Sequence, residues 1–398
     1  MKIAQINATC GQGSTGRICA AISDALLARS IENRIFYCVG QSSHPVGVKY
    51  ATSRRVKIAT LESRIKGNWG FEAHAATRSL IAQLKAFEPD VVHLHNLHSH
   101  ACNLDMLFAW LKAQGVKVVW TFHDCWAFTG YCTYYSMAGC SKWQSGCGAC
   151  PQRKSYSWLR DESAALWESK KNIAQDIDLT VVAPSEWMAR QARESFFEGY
   201  PIRVIHNGID LDVFRPRESD WANRHDCGGK HIVLGVAFGW ERRKGLDMFC
   251  NLAERLDSRE FQVVLVGTDD VVDKQLPKNI ISVHRTHNQE ELAQIYSAAS
   301  VFVNPTREEN FPTVNLEALA CGAPVVTFDT GGSPEAIDEA CGAVVSDDTE
   351  ALASAIEYIC VQRIFPKQAC EKRASQFGKQ SMALEYLSLY GTLIKDGQ

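Results

Sequence analysis

The chain has no apolar run long enough to span a bilayer, no excess of one charge and no apolar core of a secretion signal near its start. Lys and Arg total 42 against 45 Asp and Glu, a net charge of −3, so no global field favours nucleic acid as a partner. The opening MKIAQINATCGQG carries one Lys and then a short strand-like run, which reads as the first strand of a domain in a cytoplasmic protein. The 15 cysteines are an odd number with no secretion signal, which argues against a disulfide framework. Most lie in apolar segments, as Cys19, Cys38, Cys250, Cys321 and Cys360 do, where a thiol acts as a small hydrophobe.

What is present is alternation. Apolar, β-branched runs (3–7, 35–40, 91–95, 116–122, 179–185 and 203–208) are separated by amphipathic stretches such as 16–30, where Ile18, Ala21, Ile22, Ala25 and Leu26 share a face. The polar stretch 211–230, with its Pro and Gly-Gly, reads as a linker. Alternation resumes with runs at 231–238, 261–267, 281–285, 301–306, 324–329 and 342–346. Strands apolar on both faces and separated by helices mean parallel sheets covered on both sides. The expected fold is α/β, with two doubly wound Rossmann-like domains, 1–210 and 231–379, around a central cleft. A closing amphipathic helix within 380–398 is expected to pack back on the first. Ligands of such sheets bind beyond the carboxyl ends of the strands.

Several stretches fall on that edge. GQGSTGR (11–17) follows the first strand, and Gly11, Gly13 and Gly16 allow close approach of backbone to a phosphate or sugar. The second strand ends in Gly40-Gln41, with no acid to hold a ribose, so a dinucleotide site is not met. VVHLHNLHSH places His93, His95, His98 and His100 close together, but no carboxylate or thiol completes a metal set. TFHDCW sets His123 and Asp124 at a strand end. EENFPTVNLEALACGAPVV (308–326) spaces Glu309 and Glu317 eight positions apart around a helix start. That arrangement suits a diphosphate at the helix N-terminus with a sugar at each end, and it equally suits an ordinary helix start. Cys132, Cys140, Cys147 and Cys150 end in a Cys-x2-Cys, which suits either a structural zinc site or a buried reduced cluster. Arg54, Arg55, Lys57, Arg64 and Lys66 make 54–66 a basic amphipathic stretch, suited to an anionic membrane surface or to plain solvation.

Taken together, GSTGRI (13–18), VVHLHNLHSH, TFHDCWAFTGYC (121–132), PSEW (184–187), HNGID (206–210), ERRKGLD (241–247), the 308–326 stretch and GGSPEAI (331–337) resemble, in order, the retaining GT-B glycosyltransferases of family 4. Bacterial exopolysaccharide, colanic-acid and capsule enzymes are the nearest in kind. The resemblance implies transfer of a sugar from a nucleotide diphosphate sugar to a hydroxyl of a glycan or lipid-linked glycan, without a catalytic metal. It implies that Glu309 meets donor sugar hydroxyls, Glu317 holds the ribose and Lys244 neutralises the diphosphate. The backbone from Asn310 through Phe311 and Pro312 to Thr313 would lie against the donor, with Gly13, Gly16 and Arg243 assisting. His123 would stand at the reaction centre, and His95, Asn96, Asp124 and Trp126 on the acceptor side. Peripheral contact with the inner membrane face is implied because many members act on lipid-linked sugars. Phe238 departs from the pattern, standing where the family commonly has an Arg. It leaves open two alternatives, a nucleotide-sugar-binding subunit without turnover and a GT-B-fold nucleotide-sugar epimerase.

Overall fold

The computed structural model describes residues 1–98, 102–362 and 364–395. Its strands, in chain order, are β1 (Lys2–Ile6), β2 (Glu32–Tyr37), β3 (Gly47–Lys49), β4 (Val91–Leu94), β5 (Lys117–Thr121), β6 (Leu179–Ala183), β7 (Ile202–Val204), β8 (His231–Val236), β9 (Phe261–Val266), β10 (Ile280–Val283), β11 (Val301–Asn304), β12 (Val325–Phe328) and β13 (Gly342–Val345). Among the described residues they form two parallel sheets, ordered β3-β2-β1-β4-β5-β6-β7 and β10-β9-β8-β11-β12-β13. The chain divides into two compact units, one of residues 1–206 and 380–398, the other of 207–379.

In the first unit β4 and β6 are buried at every position, which is why they read as continuous apolar runs. The short strand β3 was not visible in the sequence, because three residues carry no period. Helix Lys379–Lys395 covers one face of this sheet, where Met382, Tyr386 and Tyr390 pack with Ile18, Ile22, Val119 and Val182. In the second unit, Leu234, Val264, Phe302 and Val325 face one core and Val233, Val263, Val303 and Val326 face another, the two sides of one sheet.

The stretch 211–230 is more than a linker. Phe214, Trp221 and Cys227 bury themselves in the core of the second unit, and Trp221–Arg224 forms a helical turn. Its composition is polar, yet three apolar side chains suffice to dock it. Helix Ser53–Lys66 of the first unit turns small residues inward, Ala59 and Ser63, and leaves Ile58, Leu61 and Ile65 exposed.

Strand order fixes where ligands can go. In the first sheet the order reverses between β1 and β4, which pair through Ile6 and Leu94; in the second it reverses between β8 and β11, which pair through Leu234 and Phe302. At such a switch point the loops leave the strand ends in opposite directions and open a crevice.

Candidate functional site

The switch point of the second unit is flanked by the loops after β8 and β11. After β8 the chain passes exposed Phe238 and makes a tight turn, Arg242–Lys244, before helix Leu246–Arg255. After β11 it runs through Thr306–Phe311 to helix Thr313–Ala320. Pro312 stands one residue before that helix with φ −72° and ψ 118°, its ring outside the first turn rather than within it.

Hydrogen bonds lock the two loops together. The Arg307 amide donates to the Arg243 carbonyl at 2.9 Å, and its guanidinium donates to the Arg242 carbonyl at 2.7 Å. The same guanidinium binds Asp247 at 2.8 Å and Asp347 at 2.7 and 3.0 Å, and these partners raise its pKa further. Lys244 is thereby carried to Glu309, and the two form an ion pair, half-buried on both sides. Arg243 reaches the Glu308 carbonyl at 3.4 Å and Glu241 at 2.9 Å.

A buried polar network lies beneath the motif. Asn304 donates to Asn315 Oδ1 at 2.8 Å, Asn315 donates to Ser333 Oγ at 3.0 Å, and Thr327 donates to the Asn304 carbonyl at 2.8 Å. It ties the end of β11, the helix, the end of β12 and the turn at 331–333 into one block. That turn runs against the motif. A Cβ on Gly331, at φ +58°, would lie 1.8 Å from the Glu309 carbonyl oxygen, so glycine is needed there twice over.

The predicted donor residues therefore divide. Lys244, Glu309 and Arg243 come together at one edge. Asn310 and Phe311 are buried, and the Phe311 ring packs on Phe377 at 5.5 Å, so only their backbones are placed to meet a ligand. Thr313 opens the helix half-buried. Glu317 is 5 % exposed and accepts from the Tyr296 hydroxyl at 3.2 Å. Trp240, beside Phe238, is core: its indole N–H donates to the Val266 carbonyl at 3.0 Å.

At the switch point of the first unit, the turn after β1 leads into helix Gly13–Leu27. Gly16 is needed because a Cβ would meet Thr9 Oγ1 at 2.6 Å, while Gly13, at φ +67°, has open space before it. Opposite them, at the ends of β4 and β5, lies a set of histidines. His93 contacts the Tyr390 hydroxyl at 2.7 Å and Thr121 at 2.8 Å, and it stacks on His95 at 3.8 Å. His95 contacts Gln5 Oε1 at 3.2 Å and His123 Nε2 at 3.0 Å. His98 pairs with Asp124 at 2.9 Å, and His100 lies outside the described residues.

These contacts settle a tautomer. Gln5 spends its amide N–H groups on the Cys19 carbonyl and Ser23, at 3.1 and 2.8 Å, so its oxygen faces His95. Burial holds His95 well below the ordinary histidine range, hence neutral, with the proton on Nε2 toward Gln5. Its bare Nδ1 then accepts from His123 Nε2–H. Burial, opposed in part by Asp124, brings His123 down to about 4, so it too is neutral and Nδ1 carries the lone pair. Burial alone would raise Asp124, but His98 and the Trp126 amide outweigh it and keep the carboxyl below its usual range.

Two of the residues expected on the acceptor side are buried. Trp126 is 2 % exposed, a core residue whose ring lies 3.6 Å from the Lys170 ammonium, and cannot offer a face to a sugar. His95 is 2 % exposed with both ring nitrogens engaged, so it positions His123 rather than meeting a ligand. Phe128, Tyr131 and Trp143 are buried as well. Asp124 caps the short turn Cys125–Phe128 through the Trp126 amide at 2.9 Å. Asn96 is half-buried, its amide donating to Asn7 Oδ1 at 3.2 Å.

Sequence reasoning missed Gln5, Arg307, Asn315 and Ser333. Gln5 carried a signal: it is the one polar side chain between Ile3 and Ile6, in a strand core otherwise apolar. The partners of Arg307 lie 40 and 60 residues away, and nothing local marks them.

Two doubly wound units with candidate site residues at their switch points are the architecture of the GT-B class. The sequence pattern of Glycosyltransferase Family 4 matches residues 15–213 and that of Glycosyl transferases group 1 matches residues 230–361, and the chain belongs to this family. It is 23 % identical to a protein of Escherichia coli K12 named as a colanic acid biosynthesis glycosyl transferase, WcaC, over 99 % of this chain and 100 % of the relative. It shares its fold with sucrose-phosphate synthase from Thermosynechococcus elongatus, at TM-score 0.73 and 21 % identity over 99 % of both chains. Anabaena HepE, solved with UDP-glucose, superposes at TM-score 0.70 and 15 % identity over 98 % of this chain and 100 % of that one.

Proposed function

We propose that the protein is a retaining glycosyltransferase of cell-surface polysaccharide synthesis, taking a sugar from a nucleotide diphosphate sugar to a glycan hydroxyl. The observation that carries the reading is the ion pair of Lys244 and Glu309 at the switch point of the second unit, beside a helix N-terminus. A cation and a helix N-terminus suit the diphosphate, and a carboxylate next to them suits the hydroxyls of the sugar it carries. Glu317 is the ribose ligand in this reading.

Leaving-group charge would be met by Lys244, Arg243 and the amides of Pro312's neighbours, without a divalent ion. His123, neutral and with Nδ1 as an acceptor, would take a hydrogen bond from a donor sugar hydroxyl near the reacting carbon. The acceptor would meet the first unit, near Asn96 and the turn at Gly13. The likeness to a colanic acid enzyme supports a surface polysaccharide, and the HepE complex supports a UDP-sugar. Exposed Ile58, Leu61 and Ile65 among basic residues support peripheral contact with anionic lipid. No helix among the described residues is long and apolar enough to cross a membrane.

UDP-, GDP- and ADP-sugars are to be screened by melting-point shift, then the stabilising donor assayed with oligosaccharide acceptors. Expected is a product whose new linkage keeps the donor's anomeric configuration, and its loss in Glu309→Ala with the fold intact. An inverted product overturns retention, and near-normal turnover by the variant removes Glu309 from the site.

A further inference from the structure

We propose that residues 129–162 are organised around a structural zinc ion held by the thiolates of Cys132, Cys140, Cys147 and Cys150. The stretch is long for a loop and contains only the short helical pieces Lys142–Gln144 and Arg153–Tyr156. Loops of more than about 15 residues without structure of their own need something to hold them. Here four thiols from separate turns line a single cavity, together with Tyr135 and Trp143.

The Cys-x2-Cys end has the build of a metal knuckle. Gly148 has φ +155° and Ala149 φ +44°, a tight reversal between Cys147 and Cys150. The Lys142 ammonium clasps that reversal, donating to the Gly148 and Ala149 carbonyls at 2.9 and 3.1 Å. Cys147 Sγ accepts from the Gly130 amide at 3.3 Å, and Cys150 accepts from the Gln152 amide. Such N–H donors to sulfur orient ligands and offset thiolate charge. Cys132 and Cys150 hydrogen-bond to one another, which brings the first and last thiols of the stretch together.

The donor set selects the ion. Four sulfurs with no carboxylate or imidazole among them favour zinc over calcium, magnesium or manganese. Lys142 and Lys170 stand near enough to act on Cys150 and Cys147, which offsets the negative charge of a four-thiolate site. No three of the four sulfurs lie within 4.8 Å of one another; among the described residues that closeness is met by Asp270, Asp273 and His284, on a largely exposed face. Zinc binding therefore draws the thiols inward from a loose cluster. The assignment is independent of the transfer reaction.

The test is the metal content of the full chain, purified without added metal and measured by mass spectrometry, with X-ray absorption at the zinc edge. Expected are one zinc per chain and a shell of four sulfurs at about 2.3 Å. Cys140→Ser and Cys147→Ser should each lose most of the zinc, whereas His284→Ala should keep it. The measurement on the unaltered chain decides the matter even where a variant fails to fold. Reduced protein that retains under a tenth of an equivalent after incubation with zinc and desalting overturns the proposal. So does a shell of nitrogen and oxygen, or a Cys132–Cys150 disulfide found in the purified chain.

Discussion

Lowering the pH from 7.5 to 5.0 should destabilise the first unit steeply, through three histidines. His93, His95 and His123 all have folded pKa values pushed down by burial. The groups facing them are Tyr386, Tyr390, Thr121, Gln5, His98 and Asp124, and of these only Asp124 favours a charged imidazole, at His123. A depressed histidine contributes its full stability above the unfolded value, about 6.5. That contribution drains as pH falls toward the folded value, about 4 for His123, because the unfolded chain binds the proton first. At pH 5.0 His123, with its folded value of about 4, costs about 2 kcal/mol relative to pH 7.5, and His93 and His95 act in the same direction. Exposed His284, raised by its bond to Asp273, has the opposite sign and a small share. Asp124 begins to weaken only below the usual carboxylate range, outside this window. The His123 share alone should lower the melting point by roughly 4–8 °C. Calorimetry at constant ionic strength, in two buffers of different ionisation enthalpy, should also find two to three protons taken up on unfolding at pH 5.5. His93→Gln, which can keep contacts to Tyr390 and Thr121, should remove about a third of the slope. A melting point that moves by less than about 3 °C, or an unchanged slope in the variant, refutes the assignment of these imidazoles as neutral.

Asn315→Ala should cost about 3 kcal/mol, since Asn304 and Ser333 lose buried partners worth about 1–3 kcal/mol each. Donor affinity should fall with it, because the same network braces the Glu309 loop; a melting point within about 2 °C of the parent would show the network to be dispensable. Phe238→Arg should leave stability unchanged within about 0.5 kcal/mol, since the ring is 100 % exposed, and should tighten donor binding in a salt-dependent way. A clear drop in melting point would mean that the ring packs after all. Lys244→Met should weaken nucleoside diphosphate binding by about 2 kcal/mol, roughly thirtyfold, and flatten its salt dependence. Titration calorimetry showing equal affinity would exclude Lys244 from the phosphate site.

The fold could be read from the chain because parallel strands are apolar on both faces, so β4, β6, β11 and β12 announce themselves without tertiary knowledge. The position of Glu309 was legible for the same reason: a strand end, a proline and a helical run follow one another locally. What failed were statements about which way a side chain faces. His95 follows β4 and Trp126 lies in the turn Cys125–Phe128 beyond β5, yet both are buried, His95 with its bond to Gln5 on a neighbouring strand and Trp126 against Lys170. The stretch 211–230 failed because averaged polarity hides three anchoring side chains, Phe214, Trp221 and Cys227. The Arg307 clasp and the Asn315 network were out of reach, since each joins residues that the sequence separates and only the sheet order brings together.

The electrostatics of the two switch points argue for a division of labour that net charge conceals. Near that of the second unit stand Arg242, Arg243, Lys244 and Arg307, of which Arg243 is matched by Glu241, Lys244 by Glu309, and Arg307 by Asp247 and Asp347. At that of the first, the ring groups are imidazoles kept neutral by burial, and the nearest ionised side chain is Asp124, paired with His98. Arg17 is exposed on helix Gly13–Leu27 and is the basic residue of that glycine turn. In the proposed reading the diphosphate goes to the second unit, where it competes with Glu309 for the Lys244 ammonium. A neutral glycan hydroxyl asks instead for fixed acceptors and donors without net charge, which imidazoles of set tautomer supply. The polar residue inside β1 then has a reason to be there: Gln5 orients His95, and His95 orients His123.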